Sequence, residues 1–385
     1  MRLPISILLL VGLLTYSHCD NELGVKSNSP VFDIDLFEEK IVDALSGETL
    51  GFCYVISLDG TLVHSGALGK RIAGLDGNVA SSLNEPIYCA SISKALTAVA
   101  ALQIIEEKGL TINTKIANYL PTVWDPGPNI ADLSFKDLLQ HRSGFRNYNF
   151  NYQGLKDLIE AGINVSDKVY DYENTNFGLF RIMIPIMNGD VDKNLTDETE
   201  LDEQTSQAYF NYLRDNLFVP IGIPANAVSL KPKATDPTLY YNFPNFANTR
   251  GWGIGDRTLL SGGGGWYIAP VHVAQFFAFL RFTNDVLSPD MRQAMDDNFL
   301  GWDQGTSTSS ANAYGIYHAK NGALSNNSDD ESVNQGVRNT FMNFPNGVQA
   351  LVMINSRGGD HDSEFGSTSL EGLVREAFDD SWVVK

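Results

Sequence analysis

Cysteine is scarce in this chain. Its 385 residues hold three, Cys19, Cys53 and Cys89, in no metal-type spacing. That leaves no cysteine-ligated metal centre and too few thiols for a disulfide scaffold. Long apolar runs are also missing. Past the leader, nothing approaches the roughly 20 apolar residues that span a bilayer, so no stable membrane insertion is expected. Positive charge is in deficit, with 27 Lys and Arg against 46 Asp and Glu, a net charge of -19. Such a surface repels nucleic acid and anionic lipid, and its acidity reads as a device for solubility. Gly-x-Ser-x-Gly does not occur, which excludes the strained nucleophile elbow of α/β-hydrolases. No Gly-Lys-Ser follows Gly262–Gly265, so this run is a tight turn before a helix and not a phosphate loop. There is no internal repeat.

The composition is otherwise globular, with 43% hydrophobic and 19% charged residues. The length fits one composite domain or two intimate ones. The first residues read as an address. Arg2 gives a positive start, Ile5–Thr15 an apolar stretch too short for a membrane span, and Ser17-His18-Cys19 a cleavage site. Residues 1–19 are therefore expected to be a signal peptide and the protein to be secreted. Secretion permits disulfides. Cys53 and Cys89 either pair or stand as two buried thiols. Asn164, Asn194 and Asn326 open Asn-x-Ser/Thr tripeptides, glycosylation acceptors in a eukaryotic host.

Residues 32–45 carry helical spacing. Gly51–Leu58 and Thr61–Leu68 flank Asp59-Gly60, a hairpin signal, and Val337–Phe344 and Val348–Asn355 flank Pro345-Asn346-Gly347. A helix is expected from Ser91 to about Gly109, a second from Pro270, and a third over about Leu370–Asp379. Between them the texture turns to prolines, aromatics and short helical stretches. The expected class is α+β: an antiparallel sheet covered by the first and last helices, plus an inserted helical lobe. Residues 24–122 and 255–385 form the α/β lobe and 123–254 the insertion, with a cleft between them.

Ser91-Ile92-Ser93-Lys94 carries the first chemical signal. Residues three apart share a helical face, so the Ser91 hydroxyl and the Lys94 ammonium meet at the first turn. That end also offers unpaired N–H groups and a positive dipole end. Serine is a weak nucleophile and needs such help. The pair alone is weak evidence, since Ser-x-x-Lys arises about once by chance in such a chain. Its context is stronger, because the pair opens an apolar helix, where burial lowers a lysine pKa and makes it a base. Tyr172-Glu173-Asn174 adds a phenol that can relay a proton and an amide that can bind a substrate. Lys320-Asn321-Gly322 ends a strand-like run from Tyr314, with His318, Lys320 and Gly322 on one face. Its glycine would let a substrate backbone approach closely. His318 is thereby a candidate for the cleft lining, whereas His141 reads as a structural hydrogen-bonder and His272 as a surface residue.

These three motifs, in this order, resemble the class C branch of the serine β-lactamase and penicillin-binding-protein superfamily. Leu138–Gly144, Phe218–Gly222 and Gly264–Phe276 resemble segments of the same family, and the likeness runs from about Phe32 to Val374. It implies an acyl-enzyme mechanism. Ser91 attacks the carbonyl, Lys94 and Tyr172 share the general-base work, and Tyr172 protonates the leaving group. Asn174 orients Lys94 and the substrate amide. Lys320 places positive charge near Tyr172 or on a substrate carboxylate. The backbone N–H groups of Ser91 and Ala323 form the oxyanion hole. No metal or organic cofactor is implied, and the partner is a small-molecule or peptide substrate.

The sequence departs from the family at Asn321, where a hydroxyl residue is usual, at Glu173, and in an acidic insertion over 325–334. The missing hydroxyl favours an esterase or peptidase over a true β-lactamase or D-Ala-D-Ala carboxypeptidase. A non-catalytic secreted binding protein on the same fold is the alternative of another class. Asp360-His361-Asp362 with Glu364 lacks helical zinc spacing and reads as a solvated loop.

Overall fold

The computed structural model describes residues 29–146, 149–303, 314–326, 334–363 and 367–384. The expected signal peptide, Glu364 and residues 327–333 of the acidic insertion lie outside them. Helix α1, Ile34–Leu45, starts on Asp33, whose carboxylate accepts the Leu36 N–H at 3.2 Å. It buries Phe37, Ile41 and Leu45, one residue per turn along a single face.

Strand β1, Gly51–Leu58, returns as β2, Thr61–Ile72, through Asp59-Gly60. Both turn residues have positive φ, 49° and 79°, as a two-residue hairpin of matching twist requires. Near the other end of the chain, β3 (His318–Ser325), β4 (Gly336–Asn343) and β5 (Val348–Ile354) follow one another. The five strands are antiparallel in the order β3-β4-β5-β1-β2. The sheet is thus closed by β5 pairing with β1, with Leu351 opposite Val55.

The sheet is a partition between two apolar cores. Phe52, Tyr54 and Ile56 of β1 face one core, with α1 and helix α6 (Leu370–Asp379); Cys53 and Val55 face the other. Strict alternation forces this split. The first and last helices therefore lie on the same face. The opposite face receives helix α5, Pro270–Phe282, whose Phe277 stacks on Phe341 of β4 at 3.7 Å between centroids.

The helical part is built from α2 (Ser93–Glu107), α3 (Asn174–Asn188) and α4 (Glu198–Leu213). Helix α2 is buried nearly all round and packs on both α3 and α4. Buried Arg181 of α3 pairs with Asp202 of α4 and donates to Ser206, which fixes the two helices. Within the 123–254 span, Tyr241–Asn242 forms a short strand that joins the large sheet, opposite Gly336 and beside Ser356-Arg357. The two thiols are free and buried, and burial pushes both up to about 12, so neither is a ready nucleophile. No helix among the described residues is long and apolar enough to cross a membrane.

Candidate active site

Ser91 does not begin the long helix, as its spacing suggested. It sits in a 3-10 turn, Ala90–Ile92, immediately before α2. Ala90 is held at φ 48°, a left-handed conformation uncommon for a residue with a side chain. The turn is braced by the Cys89 N–H, which donates to the Trp266 carbonyl at 2.8 Å. It also presses against β3. A Cβ on Gly322 would stand 2.5 Å from the Cys89 carbonyl oxygen. Gly322 thus admits the nucleophile's own turn, where the sequence had suggested room for a substrate backbone.

Lys94 is fully buried in the first turn of α2, one turn after Ser91. Its Nζ donates to Ser91 Oγ at 3.0 Å, Asn174 Oδ1 at 2.7 Å and the Gly263 carbonyl at 2.5 Å. An ammonium has three donors, and all three are used. Burial holds its pKa below the ordinary lysine value, with Lys320 adding to the effect. A neutral amine in the same cage would keep two N–H bonds, to Asn174 and Gly263, and turn its lone pair to the serine hydroxyl. The glycine-rich turn is therefore part of the site. Gly262 and Gly263 lie against the start of α3, where Cβ atoms would meet the Phe177 and Asn174 carbonyls at 2.5 and 2.9 Å.

Tyr172 completes the group. Its ring lies 4.9 Å from Lys94 Nζ and 5.0 Å from Lys320 Nζ. The side chain is partly exposed to the cleft; loss of water around the phenol would by itself raise its pKa, but the Lys320 and Lys94 cations hold it below the ordinary tyrosine value. The ring stacks on His141 at 4.4 Å between centroids. His141 Nδ1 accepts the Glu173 N–H at 3.1 Å, and burial keeps this imidazole well below its ordinary pKa. It is a neutral support for Tyr172, in keeping with its reading as a structural hydrogen-bonder.

Lys320 is buried and ion-paired with Asp303, whose other carboxylate oxygen accepts the Asn321 N–H at 2.7 Å. Burial pulls its pKa down, yet Asp303 and Tyr172 raise it above the ordinary value. Lys94 and Lys320 are thus two buried amines with opposite tendencies. The Asn321 side chain donates to Glu371 at the start of α6 and accepts from Thr340 at 2.7 Å.

Ser91, Tyr172, Asn174, Asn321, Gly322 and Ala323 all border one cleft of about 520 Å3, which also takes in Asp303 and Glu371. All the catalytic and substrate-binding candidates therefore converge, with Lys94 and Lys320 beneath the cleft floor. His318 does not join them. Its Nε2 meets the Asp296 carbonyl at 3.2 Å and its ring packs on Phe299 and Trp302. Asp360–Asp362 forms no metal group among the described residues; Asp362 pairs with Arg338 and Arg357, and His361 meets the Ala44 carbonyl. Asn164, Asn194 and Asn326 are all exposed.

The sequence profile of the Beta-lactamase family matches residues 37–368. The chain belongs to the Beta-lactamase family. That places it in the superfamily of β-lactamase-like serine hydrolases. A curated relative of this family member is the "Putative penicillin-binding protein PbpX" of Bacillus subtilis (strain 168), 26% identical over 206 residues. That match takes in 50% of this chain and 46% of the relative, so the chain spans about half the relative's length. Among solved structures, FmtA from Staphylococcus aureus matches 92% of the chain and 91% of its own length, with TM-score 0.64 and 16% identity. D-amino acid amidase from Ochrobactrum anthropi SV3 matches 90% and 96%, with TM-score 0.63 and 17% identity. Beta-Lactamase/D-Alanine Carboxypeptidase from Pseudomonas syringae matches 90% and 97%, with TM-score 0.63 and 13% identity. At these identities the likeness is one of fold.

Proposed function

We propose that this protein is a serine hydrolase that opens an ester or amide through an acyl-enzyme on Ser91. The observation that carries the reading is the buried Lys94 Nζ 3.0 Å from Ser91 Oγ, caged by Asn174 and Gly263. As the Ser91 oxygen adds to the acyl carbon, its proton passes to the neutral Lys94 amine or, through it, to a Tyr172 phenolate. The tetrahedral oxyanion is held by the backbone N–H groups of Ser91 and Ala323. Its collapse breaks the bond to the leaving group, which takes a proton from Tyr172. Water then adds to the acyl-enzyme with the same pair as base, and Ser91 recovers its proton. Asn174 keeps Lys94 in line, and Lys320 stabilises negative charge on Tyr172.

An amidase relative on the same fold fits this chemistry. Against a true β-lactamase or D-Ala-D-Ala carboxypeptidase stands Asn321, whose amide is engaged by Glu371 and Thr340 and offers no hydroxyl to the cleft. The work is done outside the cell, a setting supported by the leader in the sequence and by the exposure of Asn164, Asn194 and Asn326 for glycans. The test is intact-mass analysis after exposure to a fluorophosphonate. One adduct on Ser91 is expected, lost in Ser91→Ala and reduced at least about 100-fold in rate in Lys94→Ala. Folded wild-type protein that takes no adduct would leave the non-catalytic binding protein as the better reading.

A further inference from the structure

Three cations of the described residues stand at or under the cleft, and each is already held by oxygens of the chain itself. Lys94 is caged by Ser91, Asn174 and Gly263. Arg338 donates to Asp362 at 3.0 Å. Lys320 is paired with Asp303. The last pairing matters most, because Lys320 is the cation beside Tyr172 that an acyl donor's carboxylate would have to reach.

Asp303 is not a surface partner that a substrate could brush aside. Its side chain is 12% exposed and its two oxygens are divided between the Lys320 ammonium and the Asn321 N–H. The next polar group along the wall, the Asn321 amide, donates to a second carboxylate, Glu371, which is itself held by the Tyr317 hydroxyl at 3.1 Å. Both carboxylates border the cleft next to Ser91. The chain thus carries its own anions where a substrate anion would need cations and donors. A carboxylate entering there meets a Lys320 already neutralised by Asp303 and a second carboxylate, Glu371, in a partly dehydrated site, where charge interactions are strong.

We propose that Asp303, seconded by Glu371, is a specificity-determining residue that excludes carboxylate-bearing acyl donors from the cleft and reserves it for donors that are neutral beside the scissile bond. This rests on the serine hydrolase reading above and narrows its substrate class.

A matched pair of thioesters tests it: phenylacetyl thioglycolate, whose leaving group carries a carboxylate, and its methyl ester, both read by thiol release, with each kcat/KM divided by that compound's spontaneous hydrolysis rate because removing the charge also makes the thiol a better leaving group. Wild-type protein should show kcat/KM at least about tenfold higher for the methyl ester. Asp303→Asn should close or invert that ratio by tenfold or more, and Glu371→Gln should move it the same way by less. A merely structural role would lower both rates together and leave the ratio alone. Equal rates in the wild type, or a ratio unmoved in Asp303→Asn, would overturn the inference while Ser91 labelling still upheld the hydrolase. Should Asp303→Asn fail to fold, the wild-type ratio decides by itself. Absence of labelling in folded wild type would remove the hydrolase reading and this inference with it.

Discussion

Around the Tyr172 ring two buried ammonium groups are pushed in opposite directions by their neighbours. Lys94 has neutral oxygens for company and burial lowers its pKa, whereas Lys320 has a carboxylate and is held charged. One is suited to losing a proton and the other to keeping it. The sign of the pH dependence follows. The base form of the Lys94–Tyr172 couple is the reactive one, so kcat/KM rises with pH, with a midpoint below the ordinary lysine and tyrosine values. Lys320 lowers both pKa values. Lys320→Met should therefore move the midpoint to higher pH, measured as a rate profile on a neutral ester. A midpoint that stays in place would mean that Lys320 does not act on the couple through its charge.

At the scale of elements, the site depends on how closely β3 rides against the nucleophile turn. Gly322→Ala should cost about 100-fold in kcat/KM with a smaller proportional change in melting temperature, because its methyl would displace the Ser91 turn. Unchanged kcat/KM would show that the turn tolerates the shift. The β1–β2 and β4–β5 hairpins and the terminal helix were legible because Asp59-Gly60, Pro345-Asn346-Gly347 and the apolar spacing after Ser369 are local signals. Ser91, Lys94, Tyr172, Asn174 and Lys320 were legible as a set only through their order. Asp303, Glu371 and the Gly263 carbonyl were not legible. Each reaches the site from a distant segment, and nothing nearby in sequence marks an aspartate after Trp302 or a glutamate in the first turn of α6. The 3-10 turn at Ser91 was missed because positive φ at an alanine has no compositional sign.

Across the whole molecule, the sheet keeps two cores apart but ties both to the cleft. Helix α2, directly after the nucleophile turn, belongs to one core. The helix that brings Glu371 belongs to the other, through Val374, Ala377 and Phe378. Phe378 stacks on Phe344 at 3.9 Å with planes 2° apart. Phe378→Ala should destabilise the protein by about 3–5 kcal/mol, read from urea or thermal unfolding. A loss below 1 kcal/mol would mean that the back core closes over the gap.

The cleft's parts are spread from Ser91 to Glu371 along the chain, and the sheet closes only when β5 pairs with β1. During synthesis the nucleophile emerges early and its lysine follows at once, but the wall opposite exists only after residue 371 has left the ribosome. A nascent chain is therefore chemically mute until that segment has folded back onto the sheet.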